Sequence, residues 1–270
     1  MNKTTNFKFW AVLNLLGFII TLIVNYLANA LPINGKTTGE LAALYPNLFV
    51  PAGITFSIWG IIYLLLLCFV IFQLYTAFNK KKESEFIFEK VGPWFLISCL
   101  ANALWIWLWH YQMPVLSVVI MLVILLSLSK LYQRLEIGII PLSNSRKLFL
   151  HIPFSIYLGW ICIATIANIT AALVHYDWNG FGISETHWAQ IMIVIGSLLA
   201  VAFTLLRCDY TFSLVVIWAL IGIILKRTNE GQALNSPIPM VALACISGLV
   251  TSIVIAAIYI SAKKEKASNV

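Results

Sequence analysis

The chain has 270 residues, 61% of them hydrophobic and only 10% charged, with a formal net charge of +7. Soluble domains carry about a quarter charged residues, so this composition excludes a water-soluble fold and any soluble catalytic domain. The positive charge does not point to nucleic acid, because the Lys and Arg residues sit in short connections beside apolar runs and not along one amphipathic face.

A membrane helix needs about 20 mostly apolar residues, since the hydrocarbon core is roughly 30 Å thick and each helical residue rises roughly 1.5 Å. Eight stretches meet or approach that length: Phe9 to Leu31, Ile54 to Phe78, Val91 to His110, Pro114 to Tyr132, Leu148 to Val174, Trp188 to Leu206, Tyr210 to Leu225 and Pro237 to Ala262. Their apolar runs are continuous and lack the period-two alternation of barrel strands. The reading is an all-α integral membrane protein of about eight transmembrane helices.

In chain order, Lys3 and Lys8 precede an apolar run that ends at Ala28-Asn29-Ala30, an arrangement similar to a cleavable signal. The run exceeds a usual signal core and carries a polar stripe, which favours a retained helix. The connection Pro32 to Gly53 holds Thr37-Thr38-Gly39-Glu40, a capping box that predicts a short helix over Glu40 to Tyr45. That helix is either a lid over the bundle mouth or a plain interfacial connector. The loop Asn79 to Lys90, mixing Lys and Glu, reads as a solvated helical extension. Tyr111-Gln112-Met113 predicts a tight antiparallel hairpin between the third and fourth spans. In Arg207-Cys208-Asp209, Arg207 suits the negative end of the sixth helix, and Asp209 is expected to cap the seventh.

Fourteen of the 17 Lys and Arg fall on one side of the membrane in this topology; only Lys36, Lys226 and Arg227 fall on the other. The positive-inside rule then places both termini in the cytoplasm, and a bacterial plasma membrane is the expected location. The five cysteines are scattered singly with no Cys-x-x-Cys pair, which indicates neither disulfides nor a thiolate metal site.

Polar side chains inside a span are costly unless they face protein or a cavity, so their spacing marks inward faces. Asn14, Thr21, Asn25 and Asn29 form one stripe on the first helix. Ser98, Asn102, Trp105 and Trp109 form another on the third. Pro153, Tyr157, Trp160, Ala164 and Asn168 form one on the fifth. Amides combined with indoles and a phenol fit an apolar small-molecule pocket, and equally fit interhelical hydrogen-bonded glue. No Asp, Glu, Lys or Arg lies near the middle of a span, which counts against pumps and voltage sensors. His175, Asp177, Glu185 and His187 share an outer loop but match no defined metal spacing. No phosphate loop, nucleophile elbow or His-Glu-x-x-His pattern is present, so the chain is not expected to be an enzyme.

Three local patterns carry a family resemblance. Pro51-Ala52-Gly53-Ile54-Thr55-Phe56-Ser57-Ile58-Trp59, running on to Tyr63, is similar to a Pro-Pro-x-Trp-x-Phe start of a second helix. Asn102-Ala103-Leu104-Trp105 is similar to Asn-x-Leu-Trp in a third. Trp160, Ala164, Thr165 and Asn168 match Trp-x-x-x-Ala-Thr-x-x-Asn in a fifth. Together, over roughly residues 9 to 175, they resemble the TspO/MBR family, the tryptophan-rich sensory proteins related to the mitochondrial translocator protein. The resemblance implies a five-helix transmembrane bundle over residues 1–175, with residues 176–270 as a three-helix extension. It further implies a cavity under the first loop that binds porphyrins, sterol-like molecules or synthetic aromatic ligands, and in the family such a cavity is lined by the residues corresponding to Asn102, Trp160 and Ala164. The sequence departs from the pattern at Ile54, where the family has a tryptophan, in the shortened interval from Phe56 to Trp59, and in the early placing of Pro153. The charge count also places the first loop outside, opposite to the usual family orientation.

The resulting expectation is a membrane-embedded binding protein for a hydrophobic or aromatic small molecule, acting in sensing or transfer. The expected ligand-binding residues are Asn25, Asn29, Trp59, Tyr63, Asn102, Trp105, Tyr157, Trp160, Ala164 and Asn168, with a haem or protoporphyrin as the candidate tetrapyrrole and no metal ligand. The lipid bilayer and a hydrophobic ligand are the expected partners, with a homodimer as a further one and no nucleic acid. Competing readings are a secondary transporter of a hydrophobic or amphipathic solute, an enzyme acting on bound pigment, and a structural or assembly subunit. Gly196 with Ala200, and Gly248 with Ser252, offer small-residue faces for helix contacts.

Overall fold

The computed structural model describes residues 3–31, 33–79, 82–140 and 143–268. Lys80 and Lys81, counted above among the basic residues of the inner side, lie outside the described residues. The architecture is all-α: α1 (Lys3–Ala30), α2 (Thr38–Ala43), α3 (Ile58–Phe78), α4 (Lys82–Val91), α5 (Trp94–His110), α6 (Pro114–Arg134), α7 (Asn144–Arg146), α8 (Ile152–His175), α9 (Glu185–Arg207), α10 (Tyr210–Asn229) and α11 (Pro237–Ser268). A 3₁₀ turn at Gly53–Ser57 leads into α3, and a π-helical turn at Lys147–His151 joins α7 to α8.

Seven of these helices are long and apolar enough to cross a bilayer on their own. The eighth span is α5, whose 17 residues give roughly 25 Å of helix at 1.5 Å per residue, the lower limit for crossing. The third apolar stretch thus starts at Trp94 and not at Val91. Gly92 takes a left-handed φ of 51° and Pro93 follows it, so the chain bends by 53° between α4 and α5. The segment read as a solvated extension is corrected accordingly. α4 is amphipathic, burying Ile87 and Val91 against α1, α3 and α6. Lys90 pairs with Glu136 at 2.9 Å, and the Arg134 guanidinium donates to the backbone carbonyls of Glu89 and Lys90.

Between lipid-embedded helices, van der Waals packing and hydrogen bonds replace the hydrophobic effect as the force for association. The centre of the first five spans follows that rule. Phe18, Phe69, Phe95 and Phe154 are at most 1% exposed, and their rings meet edge-on or tilted at 4.9 to 6.4 Å. Around them, Asn14 Nδ2 donates to Gln73 Oε1 at 3.1 Å and Thr21 Oγ1 to the Cys99 carbonyl at 3.0 Å. The last three spans join this bundle chiefly through α10, which packs on α8, while α9 and α11 pack on each other and on α10.

Two polar joints fix α10. At one end, Asp209 makes no side-chain cap, contrary to the sequence expectation. Its carboxylate instead accepts from Tyr132 Oη at 2.9 Å and Ser155 Oγ at 2.6 Å, tying the α9–α10 turn to α6 and α8. A carboxylate buried in the bundle is stabilised far better by two hydroxyl donors than by one cap, which explains the reorientation. Midway along the helix, the Ala52 N–H donates to the Gly222 carbonyl and Trp218 Nε1 to the Thr55 carbonyl, both at 2.9 Å. Gly222 is required by this approach, because a Cβ there would meet Thr55 Oγ1 and lie 2.9 Å from Pro51 Cβ. Of the small-residue faces, Gly196 and Ala200 are used within the chain, against Ile163 and Ser213, whereas Gly248 has open space around it.

Overpacking a tight contact costs about 1–3 kcal/mol, whereas Gly to Ala in an open helix position is favourable. Gly222→Ala is therefore expected to lower the thermal midpoint of the detergent-solubilised protein by several degrees and Gly248→Ala to leave it unchanged or raise it, as read by circular dichroism on heating.

Candidate functional site

The connection after α1 forms a lid clasped to the end of α5. Thr37 and Glu40 complete the capping box, with the Glu40 N–H donating to Thr37 Oγ1 at 3.3 Å and the Thr37 N–H donating to Glu40 Oε2 at 2.7 Å. These hydrogen bonds, with Lys36 nearby, hold the exposed Glu40 carboxyl below its ordinary pKa of 4.5. The fully buried His110 is the clasp: Asn34 Nδ2 donates to its carbonyl, and its ring nitrogens face the Ile33 carbonyl at 2.9 Å and Thr38 Oγ1 at 3.2 Å. Leu41, Tyr45 and Phe49 turn inward from the lid, Tyr45 lying 5.5 Å from the Trp109 ring, and its burial raises the phenol pKa above the ordinary range.

Beneath the lid lie two chambers that share Thr38, Phe56 and Trp59 as a partition. The inner chamber, about 60 Å³, is walled by Phe49, Phe56 and the indoles of Trp59, Trp105, Trp109 and Trp160, with Ala164 and Asn168 from α8. Its far wall is Ala219 and Ile223 of the seventh span. The rings meet edge-on: Trp160 lies 6.0 Å from Phe56 and 6.2 Å from Trp59, at 88° and 86°. The second chamber, about 460 Å³, opens between α1 and α3 and is lined by Asn25, Asn29, Trp59 and Tyr63 among others.

The residues singled out from sequence are thus divided. Trp59, Trp105, Trp160, Ala164 and Asn168 line the inner chamber; Asn25, Asn29, Trp59 and Tyr63 line the outer. Asn102 and Tyr157 line neither. Asn102, fully buried, accepts from Asn25 Nδ2 at 2.8 Å and donates to Tyr157 Oη at 3.2 Å, joining α1, α5 and α8. A second chain runs from Trp105 Nε1 to Asn168 Oδ1 and from Asn168 Nδ2 to Ser117 Oγ, each at 2.8 Å. The amides therefore bind protein, while the aromatic faces border the voids. Among the buried polar atoms without a hydrogen-bond partner, which also include Asn14 Oδ1, Thr55 Oγ1, Arg207 Nη1 and Arg227 Nε, the donors Trp160 Nε1 and Tyr63 Oη belong to side chains that line the chambers.

Ile54, at the position of the family's tryptophan, is 63% exposed and points away from both chambers; Phe56 and Trp59 supply the aromatic wall instead. Sequence reading missed Phe49, Gln73, Ser117, Ala219 and Ile223. Gln73 and Ser117 were legible in principle as polar residues inside spans, whereas Ala219 and Ile223 are ordinary apolar residues with no distinguishing pattern. Among the described residues, no three His, Cys, Asp or Glu side chains come together as a metal site, the loop set His175, Asp177, Glu185 and His187 included. All five cysteines are free.

An all-helical intramembrane bundle with an aromatic cavity under a clasped first loop defines the class. The chain belongs to the TSPO-like protein family, whose family model matches residues 11–258 and so runs through the last three spans as well as the first five. No curated protein and no solved structure matches it.

Leaving a buried donor or acceptor unpaired costs about 1–3 kcal/mol per group. Asn102→Ala, which removes one of the two acceptors of Asn25 Nδ2 and the donor to Tyr157 Oη, is expected to lower the thermal midpoint by several degrees, as measured by thermal unfolding. Because the Glu40 pKa is depressed in the folded lid, its capping contribution is complete above 4.5 and disappears as pH falls through the lowered native value. Amide hydrogen exchange over residues 38–45, corrected for intrinsic rate, should stay constant from pH 8 to about 5 and rise only in stronger acid.

Proposed function

We propose that the chain is a membrane-embedded binding protein for a flat, hydrophobic small molecule, acting in sensing or transfer. The observation that carries this reading is the pair of buried donors on chamber-lining side chains, Trp160 Nε1 and Tyr63 Oη, left without acceptors beside aromatic-walled voids. A ligand presenting acceptors toward both chambers satisfies them. Apolar burial at roughly 25 cal/mol per Å² supplies most of the affinity, and the two donors set orientation.

Size refines the ligand. Small-molecule sites hold about 300–1,000 Å³. The outer chamber falls in that range and the inner one does not, so a tetrapyrrole or sterol-like body occupies the outer chamber and reaches the inner one only when Trp59 turns aside and the partition opens. No His, Cys or Met lines either chamber, and the His110 ring is engaged by the lid. The lining therefore suits a metal-free porphyrin or a sterol-like molecule better than haem, whose iron requires an axial side chain. On the charge distribution, both termini face the cytoplasm of a bacterial plasma membrane and the lid faces the opposite side. The last three spans form a unit distinct from the first five in their packing, yet Ala219 and Ile223 complete the cavity wall.

Titration of the purified protein with protoporphyrin IX, followed by quenching of tryptophan fluorescence, tests the assignment. Ala164→Phe fills the inner chamber and is expected to weaken quenching at least tenfold at unchanged helix content, and Trp160→Phe to weaken it severalfold. An unaltered titration in Ala164→Phe removes the inner chamber from the site.

A further inference from the structure

We propose that a third cavity, separate from the two beneath the lid, is a binding site for an amphipathic organic cation. It is a groove of about 550 Å³ at the lysine-poor end of the bundle, between the second half of α8, the α8–α9 loop and the start of α9. Its floor is apolar, with Phe49, Leu173 and Met192, and its rim carries Trp178, Trp188 and Glu185. Phe49 is the wall that divides it from the inner chamber.

The rim is preformed. Trp188 Nε1 donates to the Gly180 carbonyl at 2.9 Å, Ser184 Oγ caps α9 by accepting from the His187 N–H, and Asn179 Oδ1 accepts from the Phe181 N–H at 3.1 Å. These bonds hold the Trp178 and Trp188 rings 5.2 Å apart, tilted by 53° to each other. Both indoles line the groove, and an indole face attracts a cation within about 6 Å of its centroid.

Charge supplies the second argument. Between Lys147 and Arg207 the sequence contains no Lys or Arg, while Asp177 and Glu185 flank the two indoles. Among the described residues, neither carboxylate takes part in an ion pair or a side-chain hydrogen bond. Of the other charges at this end, Lys226 and Arg227 pair with Glu230 at 3.2 and 2.9 Å, and Lys36 is near enough to Glu40 to help lower its pKa. The remaining titratable neighbours are His187, whose Nδ1 contacts Ser184 Oγ at 2.7 Å, and His175, whose ring packs on Tyr45 and Tyr176. The groove thus combines an apolar floor, two indoles and, in Glu185, a carboxylate without an ion-pair partner among the described residues, which complements a cation with a hydrophobic body better than the matching anion.

Tetraphenylphosphonium and tetraphenylborate have nearly the same shape and opposite charge, so they separate charge recognition from apolar burial. Calorimetric titration of the full-length protein in neutral detergent is expected to show the phosphonium binding at least tenfold tighter than the borate. Glu185→Gln should weaken the phosphonium at least fivefold, Glu185→Lys should abolish the preference, and Trp178→Ala should weaken the phosphonium with helix content intact. Equal affinity for the two ions, or phosphonium binding indifferent to both Glu185→Gln and Trp178→Ala, overturns the proposal. Protoporphyrin quenching measured on Glu185→Gln should match the parent protein, which keeps this test independent of the chambers beneath the lid.

Discussion

Hydrocarbon offers no partner to a polar group, so each buried amide, hydroxyl and indole must find one on another helix or remain unpaired. That constraint organises the molecule. Asn14 with Gln73, Asn25 with Asn102 and Tyr157, and Trp105 with Asn168 and Ser117 are pairings between spans, and they set the rotation of α1, α3, α5, α6 and α8 about their axes. Once the amides face one another, the aromatic side chains on the same stripes are carried to the lid end. There the rings meet edge-on and do not close the space. The cavity is a consequence of polar pairing among helices whose remaining inward side chains are too rigid to fill the gap.

The same constraint explains how the last three spans come to matter for the first five. The Asp209 carboxylate finds its donors on α6 and α8, and the Trp218 indole finds its acceptor in the 3₁₀ turn before α3. Both joints sit on α10, one at its start and one midway, so Ala219 and Ile223, next in sequence to Trp218 and Gly222, become part of the cavity wall. Small residues at the contact, Gly222 above all, permit the approach. The turn before α3, which carries Phe56 of the aromatic partition, and α10 thus share two hydrogen bonds.

The lid end also carries an electrostatic contrast. Basic residues concentrate at the opposite end of the bundle, while the rim formed by the α8–α9 loop and the start of α9 holds the Glu185 carboxylate beside two indoles. A molecule approaching from that side meets negative charge before it meets apolar surface, and an uncharged one entering between α1 and α3 meets amides and aromatic faces. The two openings are therefore chemically distinct, and the inner chamber lies between them, with Phe49 on the groove side and Thr38, Phe56 and Trp59 on the other.

The sequence by itself determined the all-helical membrane architecture and its family, because apolar run length and polar spacing are local properties set by bilayer thickness and the 3.6-residue period. It also determined the capping box on the lid and the inward stripes of α1, α5 and α8. What each stripe does was decided only by tertiary structure. Asn102 and Ala164 carry equal weight as motif residues, yet one is sealed in a hydrogen-bond chain and the other borders a void, a difference of a few ångströms in where neighbouring helices lie. The break at Gly92-Pro93, the turning of Asp209 away from its own helix and the cavity wall at Ala219 and Ile223 likewise depend on partners distant in the chain. No local pattern encodes a partner that arrives only when eight helices have packed.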